Sequence, residues 1–493
     1  MPDTVALSLV SHTNVGKTTL ARTLLGRDIG EVRDEAHVTM TAERATLIES
    51  PQGDRLELWD TPGFGDSLRL AKRLAQAGNP IGWFLGEVWD RFRDRAFWSS
   101  QRAVRNVLEH ADVVLYLVNA AESPADAGYL DAELHVLALI GKPVIVLLNQ
   151  LGPPRPPPQE AAELQRWRSH LRASAHAECV REVLALDAFA RCWVQEGALL
   201  HAVANALPAH RRSTFDRLHA AWRARGHATW QAAMHVLAER LARAALDREV
   251  APSAGWSGRL LEIGAALGLH RDGSPTPREQ AMQVLAQRLD DDIRTSTDRL
   301  IELHRLAGHA TQAVLARLAE HYAVRQPLDE GKAAMLGGLV TGALAGLKAD
   351  IASGGLTLGG GLLAGGVLGA LSAAGLAHGY NLVRGIDVPT LAWADAVLDE
   401  LARSALLGYL AVAHYGRGRG EWAQAEHPAF WRDRVDAVLQ ARSAELHALW
   451  ALREGAHPDS KALVTGLHAL LAQACAQLLT GLYPESAETF KNQ

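Results

Sequence analysis

Lysine is nearly absent from this sequence: of 50 basic residues in a chain of 493, only seven are lysines and the rest are arginines. A lysine at a chemically demanding position is then hard to dismiss as one more surface charge, and Lys17 is the only one in the first 71 residues. Cysteine is scarce too. Cys179, Cys192 and Cys475 are too few and too scattered for a disulfide framework or a paired-cysteine metal site, which fits a reducing compartment. Neither charge sign dominates: 50 basic residues against 55 acidic ones give a net charge of −5, so there is no broad electropositive field and no nucleic-acid partner is indicated. The opening MPDTVALSLV has no basic leader before its apolar run, and the expectation is a cytoplasmic chain.

What is present suffices for folded domains. An apolar fraction of 48% with 21% charged residues is ordinary for globular proteins, and the length calls for two or three domains. Apolar runs at 4–10, 44–50, 55–60, 112–118, 143–149 and 182–187 alternate mostly with helical patterns, as buried strands of a largely parallel sheet do. From about residue 200 the texture turns to Ala, Leu, Arg, Glu and His at helical spacing, as in 277–306. The expected architecture is an α/β P-loop NTPase domain over 1–200, with a mostly parallel sheet and helices on both faces. A largely α-helical domain over 201–493 follows, with a Gly/Ala-rich apolar hairpin at 331–385.

The segment SHTNVGKTTL, 11–20, leaves a strand and enters a helix, and Gly16, Lys17 and Thr18 form the core of a Walker A loop. In such a loop backbone N–H groups and a helix N-terminus surround phosphates, the lysine reaches the terminal phosphates, and the threonine hydroxyl binds Mg²⁺. Ser11 stands where the first glycine is usual. Downstream, RLELWDTPGFGD ends a strand in Asp60, followed by Gly63 in a DxxG arrangement. Asp60 would orient Mg²⁺, and the Gly63 N–H can meet the terminal phosphate because no side chain blocks it. Between the two, Thr39 or Thr41 could close the metal shell, with Thr39 favoured by spacing.

NVGKTTL, WDTPGF and the intervening threonine together resemble the Era and TrmE group of bacterial P-loop GTPases, over about residues 4–190. The resemblance implies GTP and Mg²⁺ as cofactors, with Asn14, Val15, Gly16, Lys17, Thr18, Thr19, Gly63 and Asn149 around the nucleotide. It also implies Thr18, Thr39 and Asp60 around the metal, with Lys17 and Thr39 serving catalysis. Asn14 matches the P-loop asparagine of potassium-stimulated members. Phe64 follows the DxxG glycine where Ras-like proteins carry glutamine, so the attacking water must be held by something else. The whole-chain pattern also resembles an uncharacterised bacterial family that fuses this GTPase to a C-terminal domain of unknown function.

The base-reading motif departs from that group. Where NKxD is expected the chain has Asn149, Gln150, Leu151 and Gly152, so the carboxylate that pairs with guanine is missing. Gln150 could stack its amide on the base, and LDAF at 186–189 arrives where the fifth motif would touch it. Guanine preference is expected to be narrower than an intact motif gives, with Asp187 a candidate substitute acceptor. The functional expectation is a GTP-hydrolysing switch. The alternative is a nucleotide-binding scaffold with negligible hydrolysis or relaxed base specificity.

Other features carry less. Trp83, Phe84, Trp89, Phe92, Phe97 and Trp98 lie where a nucleotide-sensing helix belongs, and equally suit an amphipathic helix packed on the next domain. His304, His309 and His321 lack zinc-helix spacing, and Cys192 beside Trp193 reads as packed. Glycines at 338, 342 and 346 and at 361, 365 and 369 make two small-residue stripes, and 351–377 has no charge over 27 residues. The expectation is a helical hairpin over 335–377 touching the inner face of the cytoplasmic membrane, against the competing reading of a tightly packed soluble hairpin. A homodimer is a further expectation, with no face assigned to it by the sequence.

Overall fold

Alternate residues of β4 (Val113–Asn119) divide the first half of the chain into two cores. Val113, Leu115 and Leu117 join Val5, Leu7 and Leu9 on one face, while Val114, Tyr116 and Val118 join Val10 on the other. Both sets are fully buried, which is why the strand reads as an unbroken apolar run. The computed structural model describes residues 2–27, 42–76, 82, 95–190, 192–250, 277–306, 376–380, 389–416, 428–454 and 458–490.

With β1 (Thr4–Ser11), β2 (Glu43–Glu49), β3 (Arg55–Asp60), β5 (Val144–Asn149) and β6 (Val180–Ala185), β4 forms a six-stranded sheet in the order β2-β3-β1-β4-β5-β6. Every neighbouring pair is parallel except β2 with β3. The mostly parallel sheet is therefore as expected. Its antiparallel edge, β2, mixes exposed and buried positions because only part of it is covered.

One face is covered by α1 (Lys17–Leu25) and α6 (Trp193–Ala206), through Leu20, Leu24, Leu199 and Val203. The opposite face is covered by α2 (Ser67–Gln76), α3 (Arg95–His110), α4 (Leu130–Ile140) and α5 (Pro157–Ala173), through Leu70, Phe97, Val104, Leu134 and Trp167. Phosphate-loop geometry follows from the order: β1 is central, so its C-terminal end opens at the crevice between β3 and β4.

Helix α7 (Ala209–Leu246) belongs to both halves. Phe215, Leu218 and Trp222 pack on the sheet's α1 face, whereas Trp230, Met234, Leu237 and Leu241 enter a separate helical core. Arg217 donates to Asp54 at 2.6 Å and Arg225 to the Leu47 carbonyl at 3.2 Å, tying α7 to the β2–β3 edge. The helical core also takes residues of α8 (Pro277–Leu303), α9 (Asp395–Ala413), α10 (Ala429–Gln440), α11 (Ser443–Ala451) and α12 (Ser460–Leu482). A small antiparallel sheet, β7 (Arg248–Val250), β9 (Pro389–Trp393) and β8 (Leu376–Tyr380), interrupts the helices.

That sheet corrects one expectation at its margin. Leu376 and Ala377 close the stretch expected as a helical hairpin, yet they lie in a strand paired with Trp393 and Ala392. The rest of 335–377, with both glycine stripes, lies outside the described residues, as do Thr39, Thr41, Trp83, Phe84, Trp89, Phe92, His309 and His321. Helix α12 is long and apolar enough to cross a membrane, with mean hydropathy 1.5, but half of its apolar window is buried within the fold. Leu463, Leu467, Leu471 and Leu478 sit in the helical core, as a core helix requires.

Candidate nucleotide site

The loop between β1 and α1 turns sharply because two of its residues adopt left-handed backbone: Asn14 at φ 64° and Gly16 at φ 92°. Asparagine tolerates this region and glycine enters it freely. At Gly16 a second constraint acts, since a Cβ there would lie 2.8 Å from Asn149 Nδ2. Ser11, at the end of β1, is buried and useful: its hydroxyl donates to the His12 carbonyl and accepts from Lys17 Nζ at 3.1 Å.

Lys17 opens α1 and is itself buried. Burial pushes its ammonium below the ordinary lysine value, opposed by the charges of Asp60 and Glu133. The adjacent Thr18 hydroxyl donates to Asp60 Oδ2 at 2.5 Å. Among the described residues Asp60 Oδ1 is buried without a hydrogen-bond partner, and burial raises its carboxyl above the usual range against the pull of Lys17 and Thr18. A carboxylate oxygen left unsatisfied beside a hydroxyl, at the mouth of a phosphate loop, is the hard oxygen set that Mg²⁺ takes. The residues present fit that ion.

Gly63 lies directly over this group. A Cβ on it would be 3.1 Å from Lys17 Nζ and 3.2 Å from Thr13 Cα, so any other residue would require its neighbours to give by a few tenths of an ångström. Its neighbours are fixed on several sides. The Thr61 hydroxyl donates to the Leu9 carbonyl at 2.6 Å, and the Phe64 N–H donates to the Ser11 carbonyl at 2.9 Å. Phe64 is fully buried among Val10, Leu70 and Phe97, so its side chain cannot hold an attacking water.

Asn149 is fully buried at the tip of β5 and is committed at both ends. Its Nδ2 donates to the Val15 carbonyl at 2.7 Å, and its Oδ1 accepts from the Ala188 N–H at 2.8 Å. Gln150, at φ 60°, carries its side-chain amide close to Gly16. Asp187 already accepts from the Leu151 N–H at 2.6 Å and from the Phe189 N–H at 2.7 Å, bracing the loop after β5 against the loop after β6. Val15 is buried, Asn14 is exposed and Thr19 follows in the first turn of α1.

Two features were not found by motif reading. Glu133 of α4 is fully buried and bonds His12 at 2.7 Å through one oxygen and the Tyr116 hydroxyl at 2.7 Å through the other. Burial raises its carboxyl; hydrogen bonds from His12, Tyr116 and Ser67 pull it back. A charged residue on the face that also carries Leu130, Leu134 and Leu137 was the available signal. The second feature is a serine pair on α3, Ser99 and Ser100, at the backbone of the Gly63 loop. Among the described residues no group of three or more His, Cys, Asp or Glu could hold a metal by itself. His304 bonds the Leu300 carbonyl through Nδ1, and Cys192 is packed at the start of α6.

Comparison with known proteins agrees with this geometry. Residues 6–150 match the family described as 50S ribosome-binding GTPase. GTPase Der of Deinococcus deserti is 27% identical over 150 residues, which cover 30% of this chain and 27% of that protein. The match thus spans about a quarter of the relative's length. Among solved structures, Era in complex with MgGDPNP and a segment of 16S ribosomal RNA is 18% identical, covering 42% of this chain and 58% of that one with a TM-score of 0.30. An Era variant of Aquifex aeolicus bound to GDP and aluminium fluoride is 16% identical, covering 59% and 89% with a TM-score of 0.29. Residues 6–150 are thus similar to a family of GTPases, and the mostly parallel six-stranded sheet with its phosphate loop has the P-loop NTPase fold.

Proposed function

We propose that the N-terminal domain binds GTP with Mg²⁺, hydrolyses it, and passes its nucleotide state to the helical half. The observation that carries this reading is the convergence of Lys17, the Thr18–Asp60 pair and Gly63 on one side of the phosphate loop. Lys17 would neutralise the terminal phosphates, and the Gly63 N–H would meet charge that builds there as water displaces GDP. Thr18 and Asp60 would hold the ion, with Thr39 closing its shell; when bound, Mg²⁺ supplies charge neutralisation at the phosphates. Nothing in this chemistry requires a protein nucleophile. Asn14, exposed on the loop, is the residue through which potassium would stimulate turnover, checked by replacing potassium with sodium.

Equilibrium binding tests the site. Wild type should bind a non-hydrolysable GTP analogue at least tenfold more tightly with Mg²⁺ than with EDTA, and Asp60→Asn should lose that difference. Equal affinity in the two conditions would contradict the reading. Binding without turnover would instead favour the scaffold alternative, which the buried Phe64 side chain supports. For 335–377 we propose contact with the inner face of the cytoplasmic membrane, on the strength of its two glycine stripes and its uncharged run. Recovery of the intact protein wholly in a detergent-free supernatant, in both nucleotide states, would contradict it.

A further inference from the structure

Helix α3 touches the nucleotide-facing loop through two serines whose position no GTPase motif specifies. The Ser99 hydroxyl donates to the Gly63 carbonyl at 3.0 Å. The Gly65 N–H donates to Ser100 Oγ at 3.2 Å. From the other side, the phosphate loop supplies the matching pair: the Phe64 N–H donates to the Ser11 carbonyl at 2.9 Å, and the Thr13 hydroxyl donates to the Phe64 carbonyl at 3.2 Å. Both peptide groups, 63–64 and 64–65, therefore have their N–H and C=O engaged, one end toward the phosphate loop and the other toward α3.

The helix is itself anchored. Asn106, two turns further on, accepts from the buried Ser8 hydroxyl of β1 at 2.8 Å. Phe97, fully buried, lies under the guanidinium of Arg69 at 4.0 Å, linking α3 to α2. Ser99 and Ser100 are both buried, so water does not replace their bonds when they are lost. Upstream, Pro62 restricts φ and Thr61 is tied to Leu9, which leaves the Gly63 N–H between two fixed anchors.

We infer that Ser99 and Ser100 are positioning residues for GTP hydrolysis: they hold the Gly63–Gly65 backbone against the phosphate loop so that the Gly63 N–H faces the terminal phosphate. The inference rests on the GTPase reading above. Its distinguishing consequence is selectivity between nucleotides, because GDP lacks the γ-phosphate that Gly63 would meet. A hydroxyl that merely stabilised the fold would affect both nucleotides alike.

The experiment compares wild type with Ser99→Ala and Ser100→Ala in the full-length protein, reading GTP turnover and the affinities for GDP and a non-hydrolysable GTP analogue, with thermal melting alongside. Losing one such bond should lower kcat roughly fivefold to tenfold and weaken analogue binding, with GDP affinity within about twofold of wild type. Unchanged kcat in both variants would overturn the inference, as would parallel loss of GDP and analogue affinity. Should Ser99→Ala fail to fold, Ser100→Ala is judged by the same criteria. Absence of turnover in wild type would instead contradict the GTPase reading itself, so the two failures are distinguishable.

Discussion

Asn149 holds the phosphate loop from across the sheet: its Nδ2 donates to the Val15 carbonyl at 2.7 Å while its Oδ1 accepts from the Ala188 N–H. One side chain thereby ties the loop after β1 to the loop after β6. Asn149→Ala removes both bonds from a fully buried position and leaves the Val15 carbonyl and Ala188 N–H unpaired. A loss of about 2–4 kcal/mol in folding stability is expected, measured by urea denaturation, with weaker nucleotide binding. A change under about 0.5 kcal/mol would show that the contact contributes little.

Base discrimination should be modest. The guanine-reading carboxylate is absent, and Asp187 is engaged by the N–H groups of Leu151 and Phe189 instead of being presented toward a base. Competition binding should therefore favour GTP over ATP by less than about 10⁴, since roughly 1.4 kcal/mol accompanies each tenfold. A larger margin would mean that another group supplies the acceptor, and a preference for ATP would overturn the guanine assignment.

Gly63 gives a sharper steric test. An added methyl group would meet Lys17 Nζ at 3.1 Å and Thr13 backbone atoms at 3.2 Å and 3.3 Å. Gly63→Ala should displace the loop and reduce GTP turnover by at least about tenfold, with a melting temperature close to wild type because the clash lies at the crevice and not in a core. Turnover equal to wild type would show that the loop moves aside without consequence.

The sheet was legible because its central strands, β1, β4 and β5, alternate between two dry faces, and the phosphate loop was legible because Gly16, Lys17 and Asp60 are held by geometry that few other residues satisfy. Ser11 was read as a departure from the loop pattern, yet its hydroxyl accepts from Lys17. The sequence could not show this, since a hydroxyl's partner depends on a rotamer. Glu133 was visible in principle as a charge on an apolar helix face; its partners His12 and Tyr116 lie 121 and 17 residues away, and only tertiary packing brings them together. The α3 serines are ordinary in sequence and acquire meaning only from the Gly63 backbone they touch. The small β7–β9–β8 sheet escaped for the opposite reason: its strands are short and lie at the borders of Gly/Ala-rich and helical segments, where periodicity is weakest.

Acid should loosen the attachment of α7 to the sheet edge. Asp54 is buried, and the hydrogen bond from Arg217, reinforced by the Asp3 N–H, holds its carboxyl well below the usual range. A depressed folded-state value means that the ionised form stabilises the fold above its unfolded value, and that this contribution disappears as pH falls through the folded value. Asp54→Asn keeps the shape but not the charge. The stability difference between wild type and Asp54→Asn should be full near pH 7 and shrink below about pH 4, followed by urea midpoints; a pH-independent difference would remove the charge from the explanation.

Phosphate release from GTP by the purified full-length protein, with Mg²⁺ and potassium, bears most directly on the whole reading when wild type and Lys17→Ala are measured side by side. Lys17 is the buried cation at the phosphate loop, in contact with Ser11 and beneath Gly63. Wild type should turn over GTP, and Lys17→Ala should be slower by at least about 10²-fold, the scale for removing one electrostatic group from a phosphoryl-transfer site. Equal rates in the two proteins would contradict the assignment of this loop as the site of hydrolysis.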